Sequence, residues 1–315
     1  MSAKSKEYGL EIKVTLLWWL CRVVAALPRW VRYGMLVPFV AFVFRSIIHY
    51  RRVVILRQLQ ASFPSYSEKQ IEDICNRYYN HLAEMVIDTL SLAGLNDKKR
   101  AQSTEFVLPD DFHQSIEGRN AVVLTSHYGL WEIAYNLYLQ TPKHTIAVAY
   151  RPLSNKVMDR LYLRLRENRS VALVSSQQFM RYYVAHKDGV EGKNVIVGLI
   201  SDQNSPYHRG CCWHNFLNHD TLFFDGGEQL ALKFKLPVYY LELERVKAGH
   251  YRHKYTLIYD GVEEVAPHEI TERYARCLER TIVAKPEYWL WSHIRWKNRP
   301  SPEREEKFYN NYKSL

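Results

Sequence analysis

Short apolar runs separated by helical patterns constrain this chain more than any other feature. AVVLTS (Ala121–Ser126), HTIAVAY (His144–Tyr150) and NVIVGLIS (Asn194–Ser201) are continuous rather than alternating, as strands covered on both faces are. Between them, WEIAYNLYLQ and MDRLYLRLRE read as helices, and PVYYLELERV and HKYTLIY supply a fourth and a fifth strand. This alternation predicts an α/β fold with a mostly parallel central sheet flanked by helices. In such sheets ligands bind beyond the carboxyl ends of the strands. Three chemically unusual clusters fall there: SHYGLWE, the arginine-rich helix after YRP, and SDQNSPYHRG.

Upstream, apolar residues at helical spacing from Ser67 to Leu92, with Pro64, Ser65 and Ser67 as start signals, predict a long amphipathic helix. With 47% hydrophobic residues and no Gly-, Ser- or Pro-rich linker, residues 61–315 read as one catalytic domain that follows a distinct segment, 1–60. That segment holds ten Lys or Arg against two acids, so most of the net charge of +10 lies in it. The residues between the charges, among them Trp18, Trp19, Trp30, Phe39 and Phe42, suit a bilayer interface with anionic headgroups better than a nucleic acid. Its apolar stretches, Val14–Cys21 and Met35–Phe44, are each far short of the ~20 residues of a simple span, and arginines break any longer window. We expect an interfacial helix or a shallow re-entrant hairpin, with a tilted span or a soluble helical cap as alternatives. No signal-peptide cleavage pattern follows. The five scattered cysteines indicate neither a disulfide framework nor a zinc site, which fits a reducing compartment. The adjacent Cys211 and Cys212 read as packing residues.

His127 follows the first strand, and Glu132 comes five residues later with Gly129 between them. If a helix begins near Gly129, Glu132 lies in its first turn and can accept a hydrogen bond from one imidazole nitrogen, leaving the other as a base. Transfer of an acyl group from a thioester to an alcohol needs such a base, because a hydroxyl is a poor nucleophile near neutral pH. The bland alternative is a histidine at a strand end beside a glutamate that offsets the helix dipole. Ser126 is a poor hydrolase nucleophile, since it and His127 point to opposite faces and no GxSxG elbow is present.

Four ordered blocks carry a resemblance. SHYGLWE, YRPLSNKVMDRLYLRLR, SDQNSPYHRGCCWHNFLN and PEYWLWSHIRWKNRP together resemble the lysophospholipid acyltransferase superfamily, and within it the bacterial lipid A biosynthesis (lauroyl and myristoyl) acyltransferases of the Bacteroidetes type. FPSYSEKQIEDICNRYYNHLAEMVIDTL resembles the helix preceding the first block, so the likeness runs from about Val53 to Pro300.

The resemblance implies that His127 is the general base and Glu132 orients it. It implies an arginine in the second block that binds phosphate or an oxyanion; Arg164 is the first choice, with Arg166 and Arg160 as alternatives. Asp202 and Gln203 are implied beside the catalytic block, as structural or acceptor-binding residues, and Arg209 is a further phosphate contact. A turn-capping role for Asp202 is the plain alternative. The cluster Trp289, Trp291, His293, Arg295 and Trp296 is a family signature to which packing is the simplest role assigned; no second ligand makes His293 a metal site. Leu130 stands where the family commonly has asparagine, and Asn204, Ser205 and Pro206 are unusual, which leaves the acceptor open. The donor implied is an acyl carrier protein thioester, or else coenzyme A. The acceptor implied is a lipid A precursor, or else a lysophospholipid or aminoacyl lipid, at the cytoplasmic face of the inner membrane. No cofactor is implied, and a silent membrane-binding homologue is the alternative from another class.

Overall fold

The computed structural model describes residues 3–204 and 211–297. Its strands are β1 (Thr104–Val107), β2 (Ala121–Thr125), β3 (His144–Tyr150), β4 (Val171–Ser175), β5 (Asn194–Ile200), β6 (Cys211–Phe216), β7 (His219–Phe224), β8 (Val238–Lys247) and β9 (His250–Tyr259). Seven form one sheet in the order β1-β9-β8-β2-β5-β3-β4, in which every neighbouring pair is parallel except β8 and β9. The expected mostly parallel α/β sheet is therefore present. All five residues of β2 are buried, the consequence of a strand with cover on both faces.

The sequence reading did not contain β1, β4 or the hairpin β6–β7. The hairpin turns at Leu217 and Asn218, both at positive φ, 51° and 64°. A leucine there is held from outside: its backbone N–H donates to Glu279 at 2.6 Å, and the Asn218 amide donates to Ser62 O at 2.9 Å.

The long amphipathic helix spans Glu68–Ser91. Ser67 caps it, its hydroxyl accepting from Gln70 N–H while the Gln70 side chain accepts from Ser67 N–H. The helix Lys156–Arg166 starts at Asn155, whose side chain accepts from Val157 and Met158 N–H. The run after SHYGL is helical, but as a 3₁₀ helix, Trp131–Leu139.

Two N-terminal helices, Ala3–Ala26 and Arg29–Ile47, break at Pro28 and pack against the long helix. They run on through Arg22 and Arg45, which end the two apolar stretches; Arg22 reaches sideways to Ala93 O, and Arg32, ahead of the second stretch, reaches to Ser91 Oγ. By length and composition Arg29–Ile47 is apolar enough to cross a membrane, with mean hydropathy 1.3, where no span of simple length was expected. One side of the pair is buried at Val14, Cys21, Val37 and Ala41; the other exposes Leu16, Trp19, Trp30, Phe39 and Phe42. Cys21, Ile55 and Leu59 belong to the same core as the strands, so segment 1–60 shares its packing with the rest of the chain.

Candidate active site

β2 and β5 are hydrogen-bonded neighbours in the middle of the sheet, so the residues that follow them meet. Ser201 N–H donates to Thr125 O at 3.1 Å, which keeps the strands paired to their ends. Two residues beyond each strand stand His127 and Asp202. Imidazole Nδ1 lies 2.7 Å from Asp202 Oδ1, and the backbone N–H of His127 donates to Oδ2 at 2.9 Å. Trp289 Nε1–H donates to the same Oδ2 at 2.7 Å.

Asp202 is 2% exposed. Burial alone would raise its pKa, but attraction to His127 and the three hydrogen bonds outweigh that cost and hold the carboxyl below the ordinary carboxylate range. An ionised Asp202 accepts from Nδ1–H, and the network so assigned leaves Nε2 as the acceptor nitrogen. Gln203 Nε2–H meets it at 3.0 Å, and the Trp131 ring stands edge-on to the imidazole with centroids 4.9 Å apart.

Gly129 turns the chain away from His127. Its φ is +61°, and a Cβ at that position would lie 2.5 Å from Leu243 O, so both conformation and space require glycine. Residues 286–296 strap the same loop from behind. Gly129 N–H donates to Tyr288 O at 3.0 Å, Leu290 N–H to His127 O at 3.0 Å, and Tyr128 bridges Trp289 in antiparallel register. Gln58 anchors the strap by donating to Trp291 O (2.7 Å) and His293 O (2.9 Å) and accepting from Arg295 N–H (2.9 Å). His293 Nε2 accepts Asn204 N–H at 3.2 Å; burial depresses its pKa and keeps it neutral for that role. Arg295 is fully buried, resting on Leu222 O and over the Phe223 ring; burial pushes its pKa down to about 10 while the Asp202 charge opposes the shift.

A cavity of about 860 Å³ opens on His127. Its polar lining includes His127, Glu132, Arg166 and Gln203; much of the remainder is apolar, from Val123, Ile146, Val148 and Ile196 of the sheet and Leu137 of the 3₁₀ helix. A largely apolar wall with a few polar groups at one end is the usual lining of a small-molecule site.

The hydrogen bond expected between the imidazole and Glu132 is not the one the side chains make. The tighter 3₁₀ winding directs Glu132 toward the helix Lys156–Arg166, where its carboxylate takes Arg166 Nε at 2.6 Å and Nη2 at 2.7 Å. Asp202, 75 positions away in sequence, holds the imidazole instead.

The sequence model of bacterial lipid A biosynthesis acyltransferases matches residues 4–298, which is most of the chain. The chain belongs to that family. No curated protein matches it. Membership in this acyltransferase family implies an acyl thioester donor and a lipid acceptor in general terms, and these acyltransferases are membrane-associated.

Of the three arginine candidates in this acyltransferase, Arg166 lines the cavity. Arg164 instead stacks over the Trp18 ring at 4.5 Å, and Arg160 pairs with Glu7 and Glu11 of the first helix. Those two arginines secure the N-terminal helix and do not face His127. Gln203 touches the imidazole as a cavity-lining residue. Arg209, with Ser205 and Pro206, lies outside the described residues. Trp289, assigned only to packing from the sequence, is the second anchor of Asp202; no local spacing signals that role.

Proposed function

We propose that this chain esterifies a hydroxyl of a lipid A precursor with a fatty acyl group carried on an acyl carrier protein thioester, coenzyme A being the alternative donor. The reaction takes place at the cytoplasmic face of the inner membrane. His127 Nε2 takes the proton of the acceptor hydroxyl as its oxygen attacks the thioester carbonyl carbon. Asp202 balances the imidazolium that forms. The tetrahedral intermediate collapses with cleavage of the carbon–sulfur bond, and the departing thiolate recovers the proton from Nε2–H, so ester and free thiol are the products. Gln203 and Arg166 are the donors beside the reacting carbonyl, and Glu132 acts through Arg166 by fixing the guanidinium plane. The apolar cavity takes the acyl chain.

The observation that carries this reading is the imidazole with Nδ1 committed to a buried carboxylate at 2.7 Å and Nε2 at a largely apolar cavity. The test is acyl transfer from labelled acyl carrier protein to lipid A precursor, lysophospholipid and aminoacyl lipid acceptors, with wild type and His127→Ala. A loss of about 10²-fold or more in kcat is expected for removal of a general base, with the lipid A precursor preferred. Equal rates for the two proteins would end the proposal.

A further inference from the structure

A second cavity, of about 220 Å³, lies between the start of the helix Arg29–Ile47, the end of the helix Glu68–Ser91 and the turn joining β8 to β9. It shares no lining residue with the cavity at His127. Three cations converge on it. Arg29 and Arg32 are three residues apart on one helix and so share a face, and Lys99, on the helix Asp97–Ser103, lines the same cavity.

What the cations touch is unusual. Arg29 Nη2 donates to Ala248 O at 2.7 Å, Arg32 Nη1 to Ser91 Oγ at 3.2 Å, and Lys99 Nζ to Gly94 O at 3.1 Å. Every one of these acceptors is neutral, and among the described residues none of the three cations makes an ion pair. Arg32 Nε is buried without any hydrogen-bond partner. Asp88, which lines the same cavity and attracts Arg32, accepts from the hydroxyls of Tyr33 and Tyr251, and Glu84 nearby pairs with Arg245 at 2.7 Å. Three cations against the single lining carboxylate of Asp88 leave the cavity with an excess of positive charge, which attracts an anion from outside.

We propose that this pocket binds a phosphate group. Two guanidinium groups and an ammonium match the several acceptor oxygens of a phosphate better than one carboxylate. Its setting favours a lipid headgroup as the source. Trp30, next to Arg29, is 68% exposed, and Met35 and Phe39 continue an exposed apolar face along the same helix. A helix with cations at its start and such a face lies with those cations at headgroup level. Free inorganic phosphate offers the same chemistry.

The test is calorimetric titration of the full chain in non-ionic detergent, at constant ionic strength, with two probes: a short-chain phosphatidylglycerol and inorganic phosphate. The proteins are wild type, Arg32→Gln, Lys99→Gln, His127→Ala and, as a neighbouring exposed control, Lys98→Gln, each confirmed as folded by thermal unfolding. Wild type is expected to bind the lipid saturably. Arg32→Gln and Lys99→Gln are expected to weaken binding about tenfold each, the size of one lost charge-assisted hydrogen bond, and Lys98→Gln by less than twofold. Binding of both probes supports a phosphate site, and binding of the lipid alone supports a headgroup site. Absence of saturable binding, or equal affinity in Arg32→Gln and Lys98→Gln, overturns the proposal. His127→Ala is expected to retain full binding, so this outcome stands apart from the chemistry at the larger cavity.

Discussion

Asp202→Asn isolates the partnership on which the proposed chemistry depends. The carboxylate faces three N–H donors: His127 Nδ1 at 2.7 Å, His127 N at 2.9 Å and Trp289 Nε1 at 2.7 Å. An amide has one accepting oxygen and one donating nitrogen. If the oxygen serves the two donors at the Oδ2 position, the NH₂ group confronts Nδ1, which must become an acceptor. The ring proton then moves to Nε2 and the base is lost. The reverse orientation sets NH₂ against two buried N–H groups. Losing one charge-assisted hydrogen bond costs about 1.5–3 kcal/mol, and losing the charge that balances the imidazolium brings the total to about 3–4 kcal/mol. At about 1.4 kcal/mol per tenfold, kcat should fall roughly 10²–10³-fold. KM should change little, because Asp202 stands behind the ring and does not line the cavity. Steady-state acyl transfer at varied acceptor concentration, with thermal unfolding as a check on folding, measures both. A folded variant whose kcat stays within about threefold of wild type would refute the assignment.

Glu132→Gln should act through Arg166, lowering kcat/KM about tenfold for one lost charge-assisted bond while the acid limb of the pH–rate profile stays where it is; a displaced acid limb would return Glu132 to the role of direct imidazole partner. Gly129→Ala forces a Cβ into a left-handed position 2.5 Å from Leu243 O and should destabilise by about 3 kcal/mol, read by urea unfolding, with unchanged stability as the contrary result. Burial lowers the pKa values of His81 and His253 to about 3, so the unfolded chain takes those protons first and stability falls as pH drops below about 6.5. At pH 5 each costs about 2 kcal/mol, while Asp88, raised to about 6 by burial, takes its proton first in the fold and returns about 1 kcal/mol. Urea unfolding should therefore give a stability lower by about 2–3 kcal/mol at pH 5 than at pH 7, and a flat profile would contradict the neutral burial of the two histidines.

The sheet was readable where burial on both faces produced an unbroken apolar run, as in β2, β3 and β5. β1, with only TEFV, is too short to stand out, and the Leu217–Asn218 turn of the β6–β7 hairpin lacks the glycine that marks such turns. At the site, spacing singles out His127 and Glu132 and the family resemblance sets Asp202 and Gln203 beside them, but spacing pairs the imidazole with Glu132 where the structure pairs it with Asp202. The reason is geometric. Spacing anticipates neighbours along one helix, whereas Asp202 reaches His127 only because β2 and β5 are adjacent in the sheet, and the 3₁₀ winding turns Glu132 toward Arg166. Register on the helix Lys156–Arg166 decided between Arg164 and Arg166, and it depended on Trp18 of the first helix, which the local sequence does not contain.

The strap formed by residues 286–296 has a consequence for how the enzyme is made. Those residues leave the ribosome more than 150 positions after His127. A nascent chain therefore has its apolar N-terminal helices complete while Asp202 still lacks the Trp289 anchor and the His127 loop still lacks its backing. The pocket at His127 is thus the last part of the fold to be completed, and a cut that removes this stretch would leave His127 and Asp202 in the chain but without their supports.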